Sequence, residues 1–569
     1  MNPVSENALT VLQSRYLLRD DKGVLTEQPE ALFRRVADAI AQAEDKFGGD
    51  RKKTAKEFFE LMSSLKFLPN SPTLMNAGTV RQQLSACFVL PVGDSLISIF
   101  DTLKHAALIH QSGGGTGFNF SKIRPKNDFL PDSGGTASGP VSFMELFDAS
   151  TERIKQGGKR RGANMGILNC DHPDIEQFIS VKKDTSALRN FNISVGVTDA
   201  FMHAIEKDLE WNLIHPGTKE VMKKVRAKEL WNAIIDNAWT TGDPGMIFLD
   251  SIERTNPTPK QGRIESTNPC GEVPLLPYEA CNLGSINVSL FVKENKIDYD
   301  ELKKVIHLSV RFLDNVIEEN NYILPQIEET VKHNRKIGLG IMGWAELLIK
   351  LGIPYASEKA IALGEELMNF INTQAKIASH ELAEERGPFE GWAKSIFRNT
   401  ATLRNATCTA IAPTGTIAVI ANTSPSIEPL FALAFRRENV LGGKTLVDVN
   451  EVAKDLLRSK GVYSDSLEKT ILEKGTVSKT DLPEEIRSLL LTSHEIAPQW
   501  HLRHQAAFQK FTGNAVSKTI NLPNNATRED IASIYIEAWK LNLKGITVFR
   551  DGCKPQVMNT GASCEICVS

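Results

Sequence analysis

The chain is expected to fold as an α/β protein, either as one large barrel with additions or as two to four separate units, and three observations set that expectation. Its 569 residues are more than one small core can organise. A composition of 41% hydrophobic and 24% charged residues is that of an ordinary globular protein. Helical periodicities alternate along it with short apolar runs bounded by glycine and proline. Lys and Arg total 66 against 69 Asp and Glu, a formal charge of -3, which argues against a chain-wide nucleic-acid footprint and leaves only local basic clusters open. No apolar run reaches the ~18 residues of a membrane span, and the opening residues Met1 to Asn7 lack the basic start and apolar stretch of a secretory signal. A soluble, cytoplasmic protein without membrane or nucleic-acid partners is expected. Its eight cysteines are too sparse for a disulfide scaffold, so a disulfide in a reducing compartment would be catalytic.

In chain order, residues 1–68 read as helical: Leu32, Val36, Ile40 and Ala43 recur at three-to-four spacing, as do Phe58, Phe59, Met62 and Leu65. Residues 67–79 are turn-rich, and a strand carrying Cys87 among apolar neighbours follows. Asp94 is placed to cap a helix ending near Gln111, with Leu96, Phe100, Leu103 and Ala107 as its apolar stripe. Two glycine-rich loops come next. Residues 112–120 lack the Gly-Lys-Ser/Thr ending of a P-loop, yet their glycines permit close backbone approach to a ligand. Residues 156–165 add Lys159, Arg160 and Arg161, which suit either a grip on phosphates or acids or a solvated loop.

A helix over 227–241 then leads through a turn into a buried strand near Met246, and helical patterns run from Asp298 to about Lys332. Gly338-Leu-Gly-Ile-Met-Gly has the spacing of a dinucleotide-binding fingerprint, but the residues before it leave no room for the first strand that fingerprint requires. Tight strand-to-helix packing explains it better. From Cys408 an apolar strand leads to Thr414-Gly-Thr-Ile, which can cradle a phosphate if a helix begins there. The last strand is expected at 545–550.

The stretch over 268–287 gathers the chemistry. In an extended backbone, which Pro269 favours for Asn268, the amide of Asn268, the thiol of Cys270 and the carboxyl of Glu272 point the same way. Cys281 follows after Pro274 and Pro277 have interrupted any helix. A surface loop with a structural cysteine is the plainer alternative for Cys270 alone. At the other end, Cys564 and Cys567 form a Cys-x-x-Cys pair with no further ligands nearby for zinc, which fits a disulfide-exchanging dithiol.

Together Gln83-Leu-Ser-Ala-Cys-Phe, Lys159-Arg-Arg-Gly-Ala-Asn, Asn268-Pro-Cys-Gly-Glu, Glu279-Ala-Cys-Asn-Leu-Gly-Ser-Ile-Asn and Pro413-Thr-Gly-Thr-Ile resemble the catalytic chain of ribonucleotide reductases, most closely the adenosylcobalamin-dependent class II enzymes. The resemblance implies a ten-stranded α/β barrel of two five-stranded halves with a central finger loop, spanning 69–552, preceded by a helical region over 1–68 and followed by a redox tail over 553–569. It implies Cys270 as the thiyl radical, Glu272 as acid/base, Asn268 as partner of the substrate ribose, and Cys87 with Cys281 as the pair oxidised to a disulfide. Ser71, Gly115, Pro413, Thr414, Gly415, Thr416, Ile417 and Ala418 would line the ribonucleotide and its phosphates. Asp94, Ser95 and Arg124 would bind a nucleotide effector, a deoxynucleoside triphosphate or ATP, and Lys159, Arg160, Arg161 and Asn164 would relay its identity to substrate choice. Cys564 and Cys567 would carry electrons from a thioredoxin- or glutaredoxin-type reductant, and the helix near Asp94 would form a homodimer.

The radical source separates the classes. Class I chains receive the radical through adjacent tyrosines, and the corresponding stretch over 545–550 contains none; the glycyl motif of class III is also missing. Adenosylcobalamin is therefore the expected cofactor, with no metal held directly by the chain. No cone domain for overall activity control is visible, so specificity control without an on/off switch is expected. The alternatives are a class I-like chain that needs a second, radical-generating protein, a nucleotide-binding regulator without catalysis, and a glycyl-radical acyl-lyase. Intact Cys87, Cys270, Cys281 and Glu272 argue against the regulator.

Overall fold

The computed structural model describes residues 4–130, 134–156, 160–440 and 444–553. Ten strands carry the main sheet: β1 (Phe67–Pro69), β2 (Cys87–Val89), β3 (Gly115–Asn119), β4 (Asn164–Asn169), β5 (Phe191–Val197), β6 (Gly245–Phe248), β7 (Ala280–Asn287), β8 (Ile337–Met342), β9 (Thr519–Leu522) and β10 (Gly545–Arg550). From β2 to β6 each strand pairs in parallel with the next. A second parallel run joins β7 to β8, β8 to Thr409 through Leu339, Ile411 to Val516 just ahead of β9, and β9 to β10. The two runs meet antiparallel at both ends, β6 against β10 and β2 against β7. The sheet thus closes on itself as a barrel of two five-membered parallel halves, in which residues 409–411 form one member and β1 lies beside β2 along β7. Closure gives every member of the two halves a neighbour on each side.

Parallel strands covered on both faces read as continuous apolar runs, and every residue of β7 and β8 is buried. The helix Ala227–Thr241, the strand β6 after it and β10 lie where the periodicity places them. Asp298 caps the helix Tyr299–Glu319 by accepting from the Glu301 N–H at 3.0 Å.

Three local readings change. Of the glycines of 338–343 only Gly343 joins a strand to a helix, preceding the helix Trp344–Lys350 at φ +81°; Gly338 and Gly340 belong to β8 itself, where a Cβ would meet the Ala410 side chain at 2.9 Å and the Ala410 carbonyl oxygen at 2.3 Å. The helix Leu96–Gln111 is capped by Ser95, which accepts from the Ser98 N–H at 3.2 Å, and not by Asp94. Its expected inner stripe also lies outward, since the buried residues are Ile99, Thr102, His105, Ala106, Ile109 and His110, while Leu96, Ile97 and Phe100 are 64%, 79% and 51% exposed.

The N-terminal region contributes the helices Glu6–Arg15, Pro29–Ile40 and Arg51–Ser63, and the short helix Glu44–Phe47 between the last two joins a buried ionic network with the helices Tyr299–Glu319 and Glu358–Arg386. Glu44 accepts from Arg386 at 2.9 Å and from Arg311 at 2.9 Å. Asp314 accepts from Arg335 at 2.8 Å and from Arg386 at 3.2 Å. Burial raises the Asp314 pKa, but Arg335, Arg404 and Arg386 outweigh it and hold the carboxyl down at about 2. A carboxyl depressed in the folded state stabilises above its unfolded pKa of about 3.9, and that contribution is lost as the pH falls toward the folded value. Asp314→Ala leaves three guanidinium groups short of their counter-charge, and urea unfolding at neutral pH is expected to show a loss of about 3–5 kcal/mol.

Candidate active site

The residues 268–272 do not form an extended strand. Ser266–Thr267 pairs antiparallel with Pro274–Leu275, and the chain between them reverses tightly. The Gly271 N–H donates to the Asn268 carbonyl at 3.1 Å, and Gly271 takes φ +82°, a left-handed value that glycine adopts without penalty. The Val273 N–H donates to Asn268 Oδ1 at 3.0 Å, which locks the turn from inside. Alternation therefore does not bring the three groups together. The turn places Cys270 exposed at its tip, with Asn268 and Glu272 buried on either side.

This hairpin runs through the barrel and touches both halves. A Cβ on Gly117 would sit 1.6 Å from the Thr267 carbonyl oxygen, and one on Gly115 would sit 2.9 Å from the Pro269 ring. The glycine-rich stretch expected to be a loop is thus strand β3, and its missing side chains make room for the hairpin. From β5, Asn192 Nδ2 donates to the Pro269 carbonyl at 2.9 Å. From the other half, the Ala515 N–H donates to the Glu272 carbonyl at 2.8 Å.

Two further thiols flank the hairpin. Asn268 Nδ2 lies 3.1 Å from Cys87 Sγ, and Cys87 is the antiparallel register partner of Cys281. Such partners have Cα atoms about 4.5–5.5 Å apart, within the roughly 4.4–6.8 Å that a disulfide spans. Val89, Val273, Leu283 and Ala410 complete an apolar wall around them. Burial, then the nearby Glu279 carboxylate, push the Cys281 pKa up, so it persists as a protonated thiol. Glu279 is itself held by Lys336 at 2.7 Å.

The remaining predicted residues lie in separate places. Ser71 opens the helix Ser71–Asn76, its Oγ 2.7 Å from the Tyr16 hydroxyl. A helix does begin at Gly415: Thr414 precedes it in a left-handed conformation and accepts from the Ser426 N–H at 2.7 Å. Pro413 is exposed, Gly415 and Thr416 are half-buried, and Ile417 and Ala418 are buried. Asp94 accepts from the Arg124 N–H at 2.9 Å and from its Nε at 2.8 Å, beside Ser95 at the outer end of the helix Leu96–Gln111. Arg160–Arg161 pairs antiparallel with Lys155–Gln156, and Asn164, the first residue of β4, is fully buried. Lys159, Cys564 and Cys567 lie outside the described residues. Sequence reasoning passed over Ala515, whose only role is a backbone N–H, and His110 and Thr116, each a single polar residue in an apolar or glycine-rich run. None of the three carries a local signal.

A thiol at a hairpin tip, two thiols facing across a barrel seam and a buried carboxyl define a thiol-based redox enzyme. The ribonucleotide reductase barrel-domain model matches residues 85–402 and 398–549, and the ribonucleotide reductase all-alpha-domain model matches residues 4–82. The chain belongs to the ribonucleotide reductase family. It is 49% identical to a vitamin B12-dependent ribonucleoside-diphosphate reductase of Thermoplasma acidophilum, over 98% of this chain and 80% of that one. A Mycobacterium tuberculosis protein of the same name matches with the same identity and coverage. The Actinobacillus ureae class Id ribonucleotide reductase alpha subunit shares the fold, with a TM-score of 0.80 at 24% identity over 96% of this chain and 97% of that one.

Proposed function

We propose that the chain reduces ribonucleoside di- or triphosphates to their 2'-deoxy forms by thiyl-radical chemistry at Cys270, with adenosylcobalamin as the radical source. The observation that carries this reading is the hairpin that sets Asn268 against Cys87, the register partner of Cys281, and carries Cys270 and Glu272 on the same turn. Cys270 is exposed, and nothing lies within 4 Å of where a Cβ on Gly271 would project, so the tip is open on the side from which a cofactor would reach the thiol. Adenosylcobalamin, when bound, supplies the one-electron chemistry that converts the Cys270 thiol to a thiyl.

Cys270 as a thiyl takes the ribose 3'-hydrogen, which weakens the neighbouring C2'–O bond. Glu272 accepts the 3'-hydroxyl proton as the 2'-hydroxyl leaves as water, general acid/base work by a carboxyl whose backbone is fixed by Ala515. Cys87 and Cys281 give up two hydrogens and become a disulfide, so one ribonucleotide and two thiols yield one deoxyribonucleotide, one disulfide and one water. At the end Cys270 returns the abstracted hydrogen to the 3'-carbon and is a thiyl again. The apolar wall excludes solvent from these open-shell species.

Ser71, Gly115 and residues 413–418 hold the substrate and its phosphates, and Cys564 with Cys567 return electrons from a thioredoxin- or glutaredoxin-type reductant. A deoxynucleoside triphosphate or ATP effector binds at Asp94, Ser95 and Arg124. The outward face of Leu96, Ile97 and Phe100 is large and apolar for a solvent-facing helix, which supports a homodimer formed there. Anaerobic incubation with adenosylcobalamin, each ribonucleotide, a deoxynucleotide effector and a small dithiol tests the reading. Deoxynucleotide is expected without any second protein and only when the cofactor is present. No product with any of the four bases would overturn it, and product only on adding a radical-generating partner would assign the chain to the class I-like alternative.

A further inference from the structure

Four buried side chains form one directed hydrogen-bond chain between the helix Pro140–Arg153 and β4. Thr116 Oγ1 donates to Asn164 Oδ1 at 2.8 Å, Asn164 Nδ2 donates to Thr151 Oγ1 at 2.9 Å, and Thr151 Oγ1 donates to the Phe147 carbonyl at 2.8 Å. Each hydroxyl has a single proton, and Thr116 has used its own. His110 Nε2, 2.8 Å from Thr116 Oγ1, must therefore be the donor there. Burial holds the His110 pKa down at about 4, so the ring is neutral with its proton on Nε2. All four residues are at most 3% exposed.

The chain joins elements that are far apart in sequence. His110 ends the helix Leu96–Gln111, whose outer end carries Ser95. Thr151 lies on the helix Pro140–Arg153, which enters the loop 154–163, and Asn164 begins β4, which leaves it. Thr116 lies on β3 next to Gly115, the residue packed on Pro269 of the hairpin. A separate contact makes the same connection: a Cβ on Gly162 would fall 2.8 Å from the His110 ring and 2.9 Å from the Thr151 methyl, so the loop's exit rests directly on the imidazole.

We infer that His110, Thr116 and Thr151 are positioning residues for substrate choice, forming the rigid link through which the effector-bearing helix sets the loop 154–163 and β3 together. The inference rests on the effector and loop roles proposed above. A buried, fully satisfied polar chain of this kind specifies one arrangement, because any shift of one member leaves another unpaired in a low-dielectric interior. A displacement of the helix is then passed to both stems of the loop at once.

Thr116→Val keeps the shape and strand preference of the side chain and removes the hydroxyl. The experiment measures product ratios from the four ribonucleotides in competition, with and without each deoxynucleotide effector, together with effector affinity and the unfolding midpoint. In the parent protein each effector is expected to change the base preference by roughly 5–150-fold, the usual span of such coupling. In Thr116→Val effector-free turnover and effector affinity are expected to stay within about twofold while that change collapses below about threefold, with Thr116→Ser restoring it. A folded Thr116→Val that keeps the full effector response overturns the inference, as does one that loses effector-free turnover, since Thr116 would then serve the chemistry. If Thr116→Val does not fold, Thr151→Val reads the same link from the other stem under the same criteria. A parent protein whose preference ignores every effector refutes instead the effector reading on which the inference rests.

Discussion

Cys270→Ser is expected to fold as the parent does and to make no deoxynucleotide. The residue sits exposed at the hairpin tip, and the turn is held by Gly271, Asn268 and Val273 backbone and amide contacts that the change leaves intact. Surface changes of this type usually stay within about 0.5 kcal/mol of the parent in stability. The chemistry has no such tolerance, because a serine oxygen is far harder to convert to a radical than a cysteine sulfur. A fall of at least about a thousandfold in turnover, equivalent to some 4 kcal/mol in barrier, is expected. Unfolding midpoints and single-turnover product measured side by side decide the matter. Product formed at more than a trace would show that the radical resides elsewhere.

Gly117→Ala should be nearly as damaging by another route. Its new Cβ would lie 1.6 Å from the Thr267 carbonyl oxygen, a backbone atom that cannot swing away, so β3 or the hairpin must shift. Overpacking of this kind costs about 1–3 kcal/mol in stability. A displacement near 1 Å at reacting groups costs on the order of a hundredfold in rate. The variant is therefore expected to remain folded, with its urea midpoint modestly lowered and kcat reduced far more than that loss accounts for. Parental kcat would mean that the hairpin does not bear on this strand during catalysis.

The helices and the strands β2, β6 and β10 were legible because their signals are local. The helix Ala227–Thr241 has its apolar period, a closing glycine and a following turn all within its own residues. The hairpin was not legible, since proline after an extended residue and proline in a tight reversal look alike until the partner is known. Gly115 and Gly117 read as loop because glycine disfavours strands, and only the hairpin lying against them explains why it is used there. The outward face of the helix Leu96–Gln111 makes a related point: periodicity reveals a stripe but not what covers it. Motif resemblance located Cys87 and Cys281, while their registry across the strands needed the fold.

The antiparallel junction between β2 and β7 gives those two residues a mechanical meaning. They sit where one half-barrel ends against the other, 194 residues apart in the chain (87 to 281). A bond formed between them would staple the two halves into one covalent ring. In the chain-entropy account, closing a loop that long restricts the unfolded chain by about 5 kcal/mol. The oxidised protein would then be the sturdier form and the reduced, ready form the looser one, so each round of chemistry would tighten the vessel in which it occurs and each reduction would relax it.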